Sequence, residues 1–510
     1  MRSFPVLLAL AAMAGCTVGP NYHQPTLPTP PAYLEEGSAP GVTSASPDVA
    51  AWWSLFGDAT LNALETRAAA GNLDVATAVS KIREARQQEV IAGAAAWPQI
   101  NASGSVNNTL LSKNAGFSQL AKSFGGGAGG SSGSSAGGSS GGGLGLPGTD
   151  FTTYTAGFDA SWEFDLFGQT RRAEEAARGR SAAQEWTLRD TEVSVAAEVA
   201  VDYLTLRALQ QQIIVAQHEQ QRQQALFDLV NARRQAGFAT QLEVSQQQTS
   251  LAAAQAETPT LQAEARGEVH ALGVLLGDPP EALDAELTPA AATPAPPPSI
   301  PVGLPSELLR RRPDVREAER NLAAATADVG VAVGDLYPKI NLTGSADLVS
   351  ESLSTLLSGN SIQTAATGAI VQTLFNGGRT RANIEAYKER RIQAYDAYQT
   401  AVLTALQDVE DALSRYGGEV GRNARLRAQA TAAEAAYQTA DERYQAGLSD
   451  FINVLNTEAA VLTAGHQVAQ SDGQVDVDLV SVYKALGGGW EGSPARAAAA
   501  PSEGDAGGRR

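Results

Sequence analysis

The sequence predicts a mixed α and β membrane protein, in which unusually long helices and membrane-spanning strands are both completed by further copies of the chain. Three observations carry this. The first is an internal repeat. Leu73-Asp74-Val75 leads into Trp97-Pro98-Gln99-Ile100-Asn101, and Pro313-Asp314-Val315 leads at the same spacing into Tyr337-Pro338-Lys339-Ile340-Asn341, 240 positions later. Arg234-Gln235-Ala236-Gly237-Phe238 then recurs as Tyr444-Gln445-Ala446-Gly447-Leu448, offset by 210, so the copies share their order of elements and differ in one variable insert. The second is a switch of hydrophobic period from 3.6 to 2 within each copy, the mark of helix giving way to strand. The third is a helical pattern free of Pro from residue 169 to 236 and again from 379 to 446. A duplicated helix–strand–strand–helix unit that cannot close on itself points to an oligomeric tube, a device for transport.

Taken in order, residues 1–15 read as a signal peptide: Arg2 supplies the charge, residues 4–14 an apolar stretch too short to span a bilayer, and Met13-Ala14-Gly15 a small-residue cleavage site. Cys16, the only cysteine, follows directly, which excludes a disulfide within the chain. This arrangement resembles the lipobox of bacterial lipoproteins, and the resemblance implies acylation of Cys16 and a stable membrane anchor. Thr17, where an Asp would signal retention elsewhere, implies the outer membrane. Residues 16–60, rich in Pro, Ala, Ser and Thr, read as a lipidated, extended tether.

The first repeat is expected over residues 61–278. Its helical pattern runs to Ala96 and is stopped by Trp97-Pro98, since Pro disfavours helix in the residue before it. Strands follow at about 100–110 and 152–164. In the second of these Tyr154, Ala156, Phe158, Ala160, Trp162 and Phe164 alternate with Thr155, Asp159, Ser161 and Glu163. Such alternation is ordinary in a soluble sheet with one wet face. Strand lengths near ten residues and aromatics clustered at the strand ends favour a membrane barrel. Four strands cannot close one, because bacterial barrels need about eight, so further copies must supply the rest. Residues 111–149, almost pure Gly and Ser between 125 and 143, are expected to form an external loop.

A Pro-rich linker spans 279–306, and the second repeat 307–486, with strands at about 340–349 and 364–375. The last of these alternates poorly and is placed mainly by its position in the repeat. Each long helix should extend on the order of 100 Å. Residues 487–510, with a Gly triplet and an Ala run, read as a disordered tail.

The formal net charge of −18 argues against a nucleic-acid partner. Gly129-Gly130-Ser131-Ser132-Gly133 and residues 125–130 match a nucleophile elbow and a dinucleotide fingerprint only as accidents of a Gly/Ser tract, since neither lies between a strand and a helix. His23, His218, His270 and His466 have no metal-ligand spacing. The expectation is therefore no enzyme, no cofactor and no metal.

The informative positions are the turns Gln235-Ala236-Gly237-Phe238 and Tyr444-Gln445-Ala446-Gly447-Leu448, each with a Gly where a helix must stop. Together with Gly15-Cys16-Thr17-Val18-Gly19-Pro20, the paired Trp-Pro-Gln-Ile and Tyr-Pro-Lys-Ile strand entries and Leu374-Phe375-Asn376-Gly377-Gly378-Arg379, they closely resemble outer-membrane efflux lipoproteins of the NodT type, within the TolC-like family. The resemblance covers nearly the whole mature chain apart from the Gly/Ser insert and the tail. It implies a homotrimer with a twelve-stranded barrel in outer-membrane lipid and a twelve-helix periplasmic tunnel. It implies as partners a periplasmic adaptor docked on the tips and an inner-membrane pump, most often of the resistance–nodulation–division class. The family narrows the periplasmic end with rings of acidic residues just beyond the tips. The matching positions here are Glu243, Asn453 and Asn456, so the second ring would be amide where the family has carboxylate. The expected function is a passive exit duct for an efflux system. The alternative is a structural lipoprotein that spaces the periplasm without conducting.

Overall fold

The computed structural model describes residues 17–37, 41–45, 49–110, 150–291, 293–294, 297 and 299–491. Cys16, the expected signal peptide at 1–15, the expected external loop at 111–149 and residues 492–510 of the expected tail lie outside them. In chain order the principal elements are β1 (Val42–Thr43), α1 (Ala59–Gly71), α2 (Leu73–Ala94), β2 (Gln99–Leu110), β3 (Asp150–Phe164), α3 (Gln169–Gln235), α4 (Gln241–Leu275), α5 (Asp284–Leu287), β4 (Ile300–Pro301), α6 (Pro305–Arg311), α7 (Pro313–Gly334), β5 (Lys339–Ser350), β6 (Ile362–Val371), α8 (Arg379–Gln445) and α9 (Phe451–Ala485). Both long helices have 67 residues, and both return helices have 35, so the two copies match element for element. The chain divides into two compact units.

One unit carries the sheet. Its four strands run antiparallel in the order β2-β3-β5-β6, leaving β2 and β6 as outer edges. The register sets like residues opposite like. Ile100 faces Ala160, Phe158 faces Ala346, Trp162 faces Leu342, and Phe164, Ile340 and Ile370 fall in one row. Partners directly opposite share a face of the sheet, so these rows make one apolar face, with Ile100, Val106, Phe158, Ile362 and Ile370 all exposed. The opposite face carries Asn101, Asp159, Asn341 and Asp347, with Asn101 Nδ2 donating to Asp159 Oδ2 at 3.0 Å. Pairing also explains β6, whose own alternation is poor. Its register puts Ile362, Ala366, Gly368 and Ile370 on the apolar side, opposite Leu348, Gly344, Leu342 and Ile340. This strand ends at Val371, so Leu374 and Phe375, expected within it, lie beyond it and are about 90 % exposed (92 % and 89 %).

In the same unit the first described residues are pinned at the β3–α3 junction. Val18 N–H donates to Phe167 O at 3.0 Å. The buried Arg172 donates from Nε to Val18 O at 3.1 Å. A Cβ on Gly19 would lie 2.4 Å from Gly330 Cα, so the segment is seated closely against α7.

The other unit holds the larger apolar core, built from α1, α2, the long helices and residues of the linker. The expectation of an extended tether to residue 60 needs correction here. Tyr33, Val49, Trp52 and Phe56 are buried, and Trp52 stacks on Tyr483 at 5.3 Å between ring centroids. These aromatics are too large to leave in water when an apolar cleft is at hand. The described end of the linker is paired too: β4 runs parallel to β1, with Ile300 opposite Val42.

The helical run expected from Leu61 to Ala96 is interrupted at Asn72, for a reason repeated in the second copy. Asn72 Nδ2 donates to Leu275 O at 2.8 Å, and its Oδ1 accepts from Asp74 N and Val75 N, capping α2. At the equivalent place Arg312 donates to Ala485 O at 3.2 Å and pairs with Asp314 at 2.7 Å and Asp408 at 2.8 Å. The return helices end beside these joints at Gly277 and Gly487, with φ of +77° and +71°.

Candidate functional site

The two hairpin tips are built by one backbone device. Phe238 N–H donates to Arg233 O at 2.8 Å and Gly237 N–H to Arg234 O at 3.0 Å. Leu448 N–H and Gly447 N–H repeat this on Arg443 O and Tyr444 O, at 2.8 and 3.0 Å. Gly237 and Gly447 take φ of +81° and +72°, the left-handed conformation such a helix stop requires. The pattern aims the next side chain, Phe238 or Leu448, away from the helix ends. They are 77 % and 72 % exposed.

Gln235, Ala236, Gln445 and Ala446 are exposed beside them. Tyr444 differs from the expectation of a tip surface residue. Its ring is buried against Phe451, 5.2 Å between centroids, and the Arg233 guanidinium lies 4.4 Å from the ring centroid. It belongs to a small apolar cluster with Val230, Val244, Phe451 and Val454 that holds the two hairpins together near the tips. Two further tip residues were missed in the sequence: Leu242 and Ile452, in the first turn of each return helix and exposed at 66 % and 47 %. They are 210 apart, so the repeat offset that located the tip glycines would have found them.

The gate candidates are disposed as follows. Glu243 closes a capping box with Thr240, whose side chain accepts from Glu243 N–H while the Glu243 carboxylate accepts from Thr240 N–H. Asp450, at the same place in the second copy, makes no such side-chain cap. Asn453 and Asn456 are exposed on the side of α9 away from Phe451 and Val454, with Asn453 Nδ2 donating to Ser449 Oγ at 3.0 Å. Glu243 is thus occupied at a helix end, where its charge favours the N-terminal dipole, whereas both asparagines lie on an exposed side of α9.

A sheet with one apolar and one polar face, open at both edges, and paired hairpins with apolar tips define a channel subunit of a membrane. The chain belongs to the outer membrane efflux protein family, whose model matches residues 64–278 and 304–488. It is 31% identical over 460 residues to the pyoverdine export outer membrane protein OpmQ of Pseudomonas aeruginosa, covering 89% of this chain and 90% of that one. It is 29% identical to nodulation protein T of Rhizobium leguminosarum bv. viciae, covering 96% and 94%. Among solved structures, the outer-membrane channel OprN superposes with a TM-score of 0.81 at 32% identity, over 93% of this chain and 100% of that one. The chain is an outer-membrane efflux channel of this architecture.

Proposed function

We propose that the chain is the passive exit duct of a tripartite efflux system, working as a lipid-anchored homotrimer that receives its cargo from a periplasmic adaptor and an inner-membrane pump of the resistance–nodulation–division class. The observation that carries this reading is the open sheet. Four strands with unpaired outer edges β2 and β6 cannot stand in lipid, where every backbone polar group must be satisfied. Three copies supply twelve strands, enough to close around a lumen. The polar face, with Asp159, Glu163 and Asp347, then lines a water-filled path, and the apolar face meets lipid. Acylation of Cys16 would anchor the chain at the outer membrane. The domain plan follows the repeat, with the external loop at 111–149 and the gate at Glu243, Asn453 and Asn456.

Docking is assigned to the tips, because four exposed apolar side chains at two hairpin ends are a surface that seeks a partner. A photoreactive residue at Leu448 or Phe238 in intact cells is expected to capture a periplasmic adaptor. Capture of nothing from correctly assembled, heat-modifiable trimers would move the spacer reading ahead.

The amide gate makes its own prediction. Rings of carboxylates in a narrow lumen attract divalent cations, whereas amides do not. Millimolar divalent cation should block the wild type less than the Asn453→Asp variant in single-channel conductance. Strong block of the wild type that vanishes in Asn453→Ala would sink the assignment.

A further inference from the structure

Two apolar clusters hold the helical unit together, and they are separate. The larger fills the body and reaches along α3 as far as Ala216; the smaller begins at Phe227 and Val230 near the tips. Between them lies a layer of polar side chains: Glu219 and Gln223 of α3, Gln247 of α4 and Glu458 of α9, none more than 4% exposed. Gln223 Nε2 donates to Glu219 Oε1 at 2.7 Å, and Gln247 Nε2 donates to Gln223 Oε1 at 2.6 Å. Gln223 also lies near enough to the Glu458 carboxyl to favour its charged form, which brings α9 up to α3. Even so Glu458 Oε1 and Gln247 Oε1 have no hydrogen-bond partner among the described residues, and Glu219 Oε2 has only the Arg222 ion pair at 3.5 Å. Buried acceptors left in this state weaken the packing they sit in.

The charges around the layer do not balance. Arg222 of α3 lies 3.5 Å from Glu219 and 3.9 Å from Glu434 of α8, with the Tyr437 ring beneath it at 5.7 Å. Asp441 of α8 adds a further negative charge and His466 of α9 faces Glu219, while α4 contributes only the neutral Gln247. One guanidinium therefore serves several carboxylates.

We propose that this layer is a proton-operated joint between the two hairpins. With Glu458 protonated, its hydroxyl donates to one of the orphaned oxygens and the hairpins pack tightly; its ionisation leaves a buried charge and loosens the tips. Burial, and after it the charge of Glu219, pushes the Glu458 carboxyl up to about 7. In an opened, hydrated hairpin the group returns to its ordinary value of 4.5. Between those values the packed form holds a proton that the opened form has released. Opening therefore becomes easier as pH rises, by at most about tenfold per pH unit, and is flat on either side of the window. The joint deepens the reading of the tips as a gate, since it sets how readily they part.

Amide hydrogen exchange of the full-length chain in lipid nanodiscs tests this without transport or an adaptor, so its failure is distinct from failure of the duct reading. After correction for intrinsic exchange, opening of residues 451–465 should rise 10- to 100-fold between pH 5 and 7. Glu458→Gln should remove the pH dependence and hold acid-level protection throughout, because the amide donates as the protonated acid does. Glu219→Gln, which removes the neighbouring charge, should shift the transition to lower pH. A flat wild type, or the same rise in Glu458→Gln, would overturn the proposal.

Discussion

Replacing Phe238 and Leu448 together by Asp should abolish export while trimers form at the wild-type level. Both side chains are more than 70% exposed (77% and 72%), and neither contributes to an apolar cluster, so folding has little stake in them. Docking, as proposed for the tips, has a large one. Apolar anchors at the centre of an interface each contribute about 2 kcal/mol or more, and an Asp would add an unpaired charge to a desolvated contact. Loss of both should weaken adaptor binding by roughly a thousandfold. The check is export in cells lacking the wild-type chain, alongside unheated electrophoresis for trimers. Undiminished export from the double variant would remove the tips from the docking surface.

The second large effect is structural. Gly277→Ala should cost on the order of 3 kcal/mol and sharply reduce the yield of trimers, from strain of roughly 1–3 kcal/mol in the left-handed region together with a backbone collision. Gly277 has φ +77°, and a Cβ there would lie 2.3 Å from Gly71 O. Because the obstacle is backbone, no side-chain rotation relieves it. Gly237→Ala is the matched control: it shares a positive φ but has open space around it, so only the strain remains. Thermal unfolding of the two variants should separate them clearly. Equal losses would mean that the Gly71–Gly277 contact is not the source.

What was legible in the sequence was whatever local chemistry decides. Pro98 and Pro338 mark the strand entries, Gly237 and Gly447 the helix stops, and a Pro-free 3.6 period gave the long helices to within a residue of their observed ends. What was not legible depends on pairing across the chain. The alternation of β6 emerges only from its register with β5. Residues 49–56 fall within the bounds expected for the tether and become core because Tyr483, more than four hundred positions away, offers Trp52 a stacking face. At the tips, Tyr444 was grouped by the repeat with residues it adjoins in sequence, yet helical geometry turns its ring inward. The buried layer around Glu458 was invisible for the same reason. Gln and Glu are common on solvated helix faces, and only a four-helix neighbourhood makes them interior.

The pinned N-terminal segment has a consequence for the order of events during synthesis. Val18 is held by Phe167 and Arg172, Gly19 abuts Gly330, and Val42 pairs with Ile300. Residues 18–43 therefore have no complete seat until α7 has been made. Made first, they are fitted last, like the final stave that closes a cask.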